Sequence, residues 1–238
     1  MAAATEREKA EKKRLQAFLG EILRVGAIKG FQYFTLYLRG REELLCSIIN
    51  ELKAPDQTLF LIAGYARYNC PYVWIRSHHH RLVNLTHASS ADKDNPLKLN
   101  ATNNWGREEV HLWDILAELV HLCTVPAPRN PFAVDLVYFQ QLPLADQVTS
   151  TGAMVWLLQQ ILKHSGNKEY TGKVFEDLHD VTKLHFQSLQ QWAREKMPQQ
   201  QQQQHQTAQQ QQQQQQQRAP GAGYRPGVQR GPTAVYGY

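Results

Sequence analysis

FQYFTLYLRGREELLCSIINELK, residues 31–53, has two readings, and the choice between them sets the fold class. Its first part, 31–38, is an aromatic run. It reads as a strand or as the buried turn of a helix, because periodicity does not separate the two in a short apolar run. Gly40 ends it. From Arg41 to Lys53 the spacing predicts a helix, with Leu44, Leu45, Ile48, Ile49 and Leu52 on one apolar face. Pro55 stops it.

Helices are expected on both sides of this stretch. Leu15, Phe18, Leu19, Ile22, Leu23 and Val25 recur at helical spacing in residues 5–25. After Glu108, Val110, Leu112, Trp113, Leu116, Leu119 and Val120 form a stripe that Pro126 and Pro128 end. Residues 144–164 and 170–197 carry two more long helical patterns, with Gly166 a suitable residue just past the first. Only residues 58–85 read as strands. TLFLIAGY, YVWIR and RLVNL are short β-rich runs separated by Tyr68-Asn69-Cys70-Pro71 and Ser77-His78-His79-His80. Residues 89–104 are polar and read as a loop. The fold expected is therefore mainly α: a helical domain over 1–197, in one lobe or two, with a small central β hairpin or meander.

Composition changes at Pro198. Glutamine runs at 199–204 and 209–217 lead into RAPGAGYRPGVQRGPTAVYGY, which lacks the apolar surface to offset its ordering entropy. Residues 198–238 are expected to be a disordered Gln-rich tail containing Arg, Gly, Pro and Tyr. The chain carries +5 overall, and the tail accounts for +3 through Arg218, Arg225 and Arg230. A charge of this size permits binding to polyanions without demanding it. No apolar run reaches the ~18 residues of a membrane span. The charged N-terminus lacks the apolar stretch of a secretory signal. Three scattered cysteines do not make a disulfide framework. The compartment expected is reducing: cytoplasm or nucleus, or a virion if the chain is viral.

Catalytic motifs are missing. There is no GxSxG, GxxxxGK[ST] or GxGxxG, so no enzyme and no cofactor are expected. The His78–His80 cluster and His121-Leu122-Cys123 lack the paired short spacings of a zinc site, and no metal is expected. Glu42-Glu43 and Glu108-Glu109 are explained by favourable placement near helix starts.

Basic groups interleaved with aromatics are more informative. Residues 29–41 contain Lys29, Phe31, Tyr33, Phe34, Tyr37, Arg39 and Arg41. Residues 65–81 contain Tyr65, Arg67, Tyr68, Tyr72, Trp74, Arg76 and Arg81. In an RNA groove such arginines neutralise phosphates and such rings stack on splayed bases. The competing reading buries most of the rings in a core. Tyr72, Trp74 and Arg76 would share one face of a strand, with Val73 and Ile75 on the other.

The aromatic run ending in Leu38-Arg39-Gly40-Arg41-Glu42-Glu43 leads into an apolar helix. A short hairpin, a polar loop with Asp94-Asn95-Pro96 and Asn103-Asn104, and a long helix follow. That order resembles the nucleoproteins of orthobunyavirus-like segmented negative-strand RNA viruses. The resemblance implies RNA held between two mainly helical lobes, assembly into homo-oligomers, and phosphate contacts at Arg39, Arg41, Arg67, Arg76 and Arg81. With Tyr72 and Trp74 these make up the expected nucleic-acid-binding set. The function expected is a non-enzymatic protein that coats single-stranded RNA, as a nucleoprotein or capsid-like subunit, with no membrane partner. The alternative is a cellular helical interaction module, a nuclear or regulatory adaptor, whose Gln-rich tail is regulatory.

Overall fold

A computed structural model of the chain describes residues 2–51, 56–77, 95–166 and 168–217. Helix α1 (Ala2–Val25) comes first. The strands β1 (Phe34–Leu38), β2 (Glu43–Ile49), β3 (Gln57–Ala63) and β4 (Tyr72–Ile75) follow, with a 3-10 turn at Ala66–Tyr68 between the last two. The rest is helical: α2 (Asn100–Asn103), α3 (Leu112–Cys123), α4 (Leu136–Gln140), α5 (Leu144–His164) and α6 (Lys168–Gln217).

The expectation of a mainly α chain is wrong. The four strands form one antiparallel sheet in the order β1-β2-β3-β4, so the fold is mixed, helices with a sheet. The error lies in the opening stretch, where residues 43–49 are the second strand rather than a helix. Their burial alternates strictly, with Leu44, Cys46 and Ile48 buried and Leu45, Ser47 and Ile49 partly exposed. A strand paired on both edges gains hydrogen bonds along its whole length, and β-branched Ile48 and Ile49 suit the pleat. Glu43–Ile49 has such pairing, with β1 on one side and β3 on the other. The run RLVNL lies outside the described residues.

The register sorts the sheet into two faces. Leu36, Cys46, Phe60 and Ile75 pair in one row, and Leu38, Leu44, Ile62 and Val73 in another. Apart from the exposed Leu38, these rows point inward, where Leu15, Phe18 and Ile22 of α1 and Leu112, Ile115, Leu116 and Leu119 of α3 join them in one core. The polar seam at the end of β2 is satisfied only in part, because Asn50 Nδ2 is buried with no hydrogen-bond partner among the described residues. Thr58 donates to Asn50 Oδ1 at 2.7 Å, and Thr124, just past α3, donates to the Ile49 carbonyl at 2.8 Å.

Helices α5 and α6 form a hairpin. Thr151 Oγ1 lies 2.9 Å from His185 Nδ1, and Ser165 meets the Tyr170 hydroxyl at 2.8 Å. The helix does not stop at Pro198, because its backbone continues through Gln217. The sequence reads that stretch as part of a Gln-rich tail into which the preceding helix can extend some way. Gln is a fair helix former, so a helix already started by packing can propagate into it. The chain divides into two compact units, Met1–Trp192 and Ala193–Tyr238.

Candidate nucleic-acid interface

The second face of the sheet carries the candidate site; Leu61 and Ala63 on it are buried, and Tyr37, Tyr72 and Trp74 keep partial or full exposure. One row reads Tyr37, Leu45, Leu61, Trp74 and the next Glu43, Ala63, Tyr72. On β4, Val73 and Ile75 are buried while Tyr72 and Trp74 are half-buried on the opposite face. The 3-10 turn sets two more rings beside them. Asn69, at φ 57°, takes the left-handed conformation that turns the chain from Tyr68 back into β4.

Four rings form a connected cluster. Tyr72 and Trp74 lie 5.7 Å apart, Tyr68 and Tyr72 5.3 Å, and Tyr65 and Trp74 6.1 Å. The Arg67 guanidinium stands 4.4 Å from the Tyr68 ring centre, and that of Arg76 stands 5.9 Å from Trp74. Across the sheet, Lys29 lies 4.3 Å from the centre of Tyr37, a ring that is 52% exposed. Burial pulls the Lys29 ammonium below its ordinary pKa.

Two tyrosines of this cluster have raised pKa values and stay neutral at physiological pH. A hydrogen bond to Glu43, then burial, pushes the Tyr65 phenol up. A hydrogen bond with Cys70, then burial, does the same for Tyr72. Neutral rings beside arginines offer stacking surface without repelling phosphate.

The structure gathers Arg67, Tyr72, Trp74 and Arg76 from the sequence-derived set. Arg39 and Arg41 are exposed in the β1–β2 turn, and Arg39 Nε pairs with Glu43 at 3.5 Å. Arg81 lies outside the described residues, as does the His78–His80 cluster. Phe31 and Phe34 belong to the core, stacked on each other at 4.3 Å. Tyr65 and Tyr68 join the site only because the turn brings them over β4. Their spacing from Trp74 carries no strand or helix period that could have shown it.

A second group of titratable residues is structural. His111 Nδ1 lies 2.7 Å from Glu21 Oε1, and Glu21 Oε2 accepts from the Leu112 N–H at 2.8 Å. Asp114 accepts from the His111 N–H at 2.8 Å. Burial pulls the imidazole down, but the hydrogen bond and charge of Glu21, helped by Asp114 and Glu109, hold it above its ordinary pKa. All these bonds satisfy the first turn of α3 or tie α1 to it. Among the described residues no three His, Cys, Asp or Glu side chains cluster as a metal site. No described helix is long and apolar enough to cross a membrane.

A protein-family model described as a domain of unknown function (DUF7886) matches residues 47–187, more than half of the chain. The chain belongs to that family. The matched region runs from β2 into α6 and holds the whole ring cluster, while Lys29, Tyr37 and Arg39 lie before it. No curated protein and no solved structure matches the chain.

Proposed function

We propose that the chain is a non-enzymatic protein that binds single-stranded nucleic acid, RNA first, on the outward face of its sheet. The observation that carries this reading is the four-ring cluster of Tyr65, Tyr68, Tyr72 and Trp74 under Arg67 and Arg76. Bases stack on such rings whatever their sequence, and the guanidinium groups neutralise the backbone. A nucleoprotein that coats RNA is the narrower form of the proposal. It requires in addition that copies assemble along the strand.

Binding of a labelled oligouridylate across a salt series tests the reading. Arg67→Ala with Arg76→Ala should lower the slope of log K against log salt by roughly 0.7 per lost phosphate contact. Trp74→Ala should cost on the order of 1–3 kcal/mol of binding with little change in slope. No binding by the wild type at low salt sinks the proposal.

A second reading rests on Phe175 and Phe186, which are 64% and 60% exposed on one face of α6. In this reading the chain is an interaction module that pairs with a second copy. Glu169, Glu176, Asp177 and Asp180 make the early part of the helix acidic, and Lys183, Arg194 and Lys196 make the later part basic. Antiparallel self-pairing sets these opposite charges against each other. Sedimentation decides it: a dimer that Phe175→Ser with Phe186→Ser dissolves supports this reading, and a monomeric wild type removes it.

A further inference from the structure

The ring cluster continues off the sheet. Tyr68, which meets Tyr72 at 5.3 Å with its plane turned by 82°, is also a wall of an open cleft of about 300 Å³. Arg7 and Arg14 of α1 line the other side, and Cys70 and Trp105 are part of the same wall system. The back of the cleft is fixed. Trp105 is buried, its Nε1 donates to the Asn69 carbonyl at 2.9 Å, and its ring meets Phe18 edge-on at 5.5 Å. Arg14 Nη1 donates to the Trp105 carbonyl at 2.5 Å, which holds its guanidinium in place. Among the described residues Arg7 pairs with Glu11, at 3.1 Å, and its side chain is 84% exposed. Two arginines thus face one glutamate, and Arg67 stands over the Tyr68 ring.

We propose that this cleft is the phosphate seat where a bound single strand leaves the sheet. This deepens the reading given above and rests on it. Bases stack at Trp74 and Tyr72, the path turns at Tyr68, and the next phosphate meets Arg14, with Arg7 exchanging Glu11 for it. A fork of N–H donors suits a phosphate better than a base, and an open cleft of this size admits a phosphate with its sugar.

The test uses full-length protein and oligouridylates of about four and about ten nucleotides, lengths within the site sizes of known single-strand binders. Arg7→Gln leaves the fold intact, because the Arg7 side chain is 84% exposed and its partner among the described residues is the surface carboxylate of Glu11. It should lower the salt slope for the longer strand by roughly 0.7 and leave the shorter strand unchanged. The longer strand should also slow alkylation of Cys70, and the shorter should not. If Arg7→Gln affects both strands equally or neither, while Trp74→Ala still weakens binding, the seat is wrong and the sheet reading stands. If the wild type binds neither strand, both fall.

Discussion

His111 Nδ1 sits 2.7 Å from Glu21 Oε1, across 90 residues of sequence, and this contact joins α1 to the first turn of α3. The surroundings raise the His111 pKa. A group whose folded pKa is raised stabilises the fold fully below its unfolded value, near 6.5, and loses that contribution as pH rises through the folded value. Wild type should therefore exceed His111→Gln in stability by about 1–3 kcal/mol near pH 6. The gap should narrow as pH climbs from about 6.5 through the raised value. Urea unfolding of both proteins at several pH values checks this, and a gap that widens with pH would contradict it.

Strand β2 makes a different kind of prediction. Ile48 is 0% exposed and faces the core, while Leu45 sits on the outward row beside Tyr37 and Leu61. Ile48→Ala should cost about 2–5 kcal/mol. Leu45→Ala should cost less, because Leu45 stays partly exposed in the folded chain and transfers less surface out of water. A helix over Arg41–Lys53 would bury both and make the costs equal.

That stretch also shows why the sequence misled. A strand with neighbours on both sides and a ring-bearing outer face needs apolar residues in both directions. Leu44, Cys46 and Ile48 fill the inside, and Leu45 and Ile49 the outside. The resulting run of adjacent apolar residues satisfies a helical period as well as a strand. Strands β3 and β4 were legible because turn residues bracket them, and α3 and α5 because their stripes are long. Tyr72 and Trp74 were legible by simple alternation. The Arg7, Arg14 and Tyr68 cleft was not, since α1 reaches the turn before β4 only through tertiary packing.

Gly30 should tolerate no side chain. It sits at φ 94°, and a Cβ there would come within 2.5 Å of the Phe139 ring. Strain and overpacking together should make Gly30→Ala cost about 2–5 kcal/mol. Gly40, at φ 140°, has nothing within 4 Å of such a Cβ. Gly40→Ala should then cost only the backbone strain, about 1–3 kcal/mol. Unfolding curves of the two variants compare the terms directly, and equal losses would mean that Phe139 moves aside.

Removing 198–238 should leave the melting temperature of the remainder nearly unchanged. Among the α6 side chains whose burial is described, which end at Lys196, the last buried ones are Val181 and Ser188. Helix ends fray, and the sequence of 198–238 has no apolar pattern that could add to a core. A large drop in melting temperature would show that the Gln-rich helix supports the first unit.

The cysteines should separate by reactivity. Cys46 is 0% exposed and Cys123 4%. Burial, reinforced by the neighbouring Cys123, pushes the Cys46 thiol far above the range in which a thiolate forms. Only the thiolate is nucleophilic, and the reagent must also reach it. Cys70 differs, since it is half-buried and lines the cleft beside Tyr68. Iodoacetamide should therefore modify one thiol in the native protein and three after denaturation. Peptide mapping should place the native adduct on Cys70. An adduct on Cys46 or Cys123 without urea would mean that the core under the sheet opens far more readily than its packing allows.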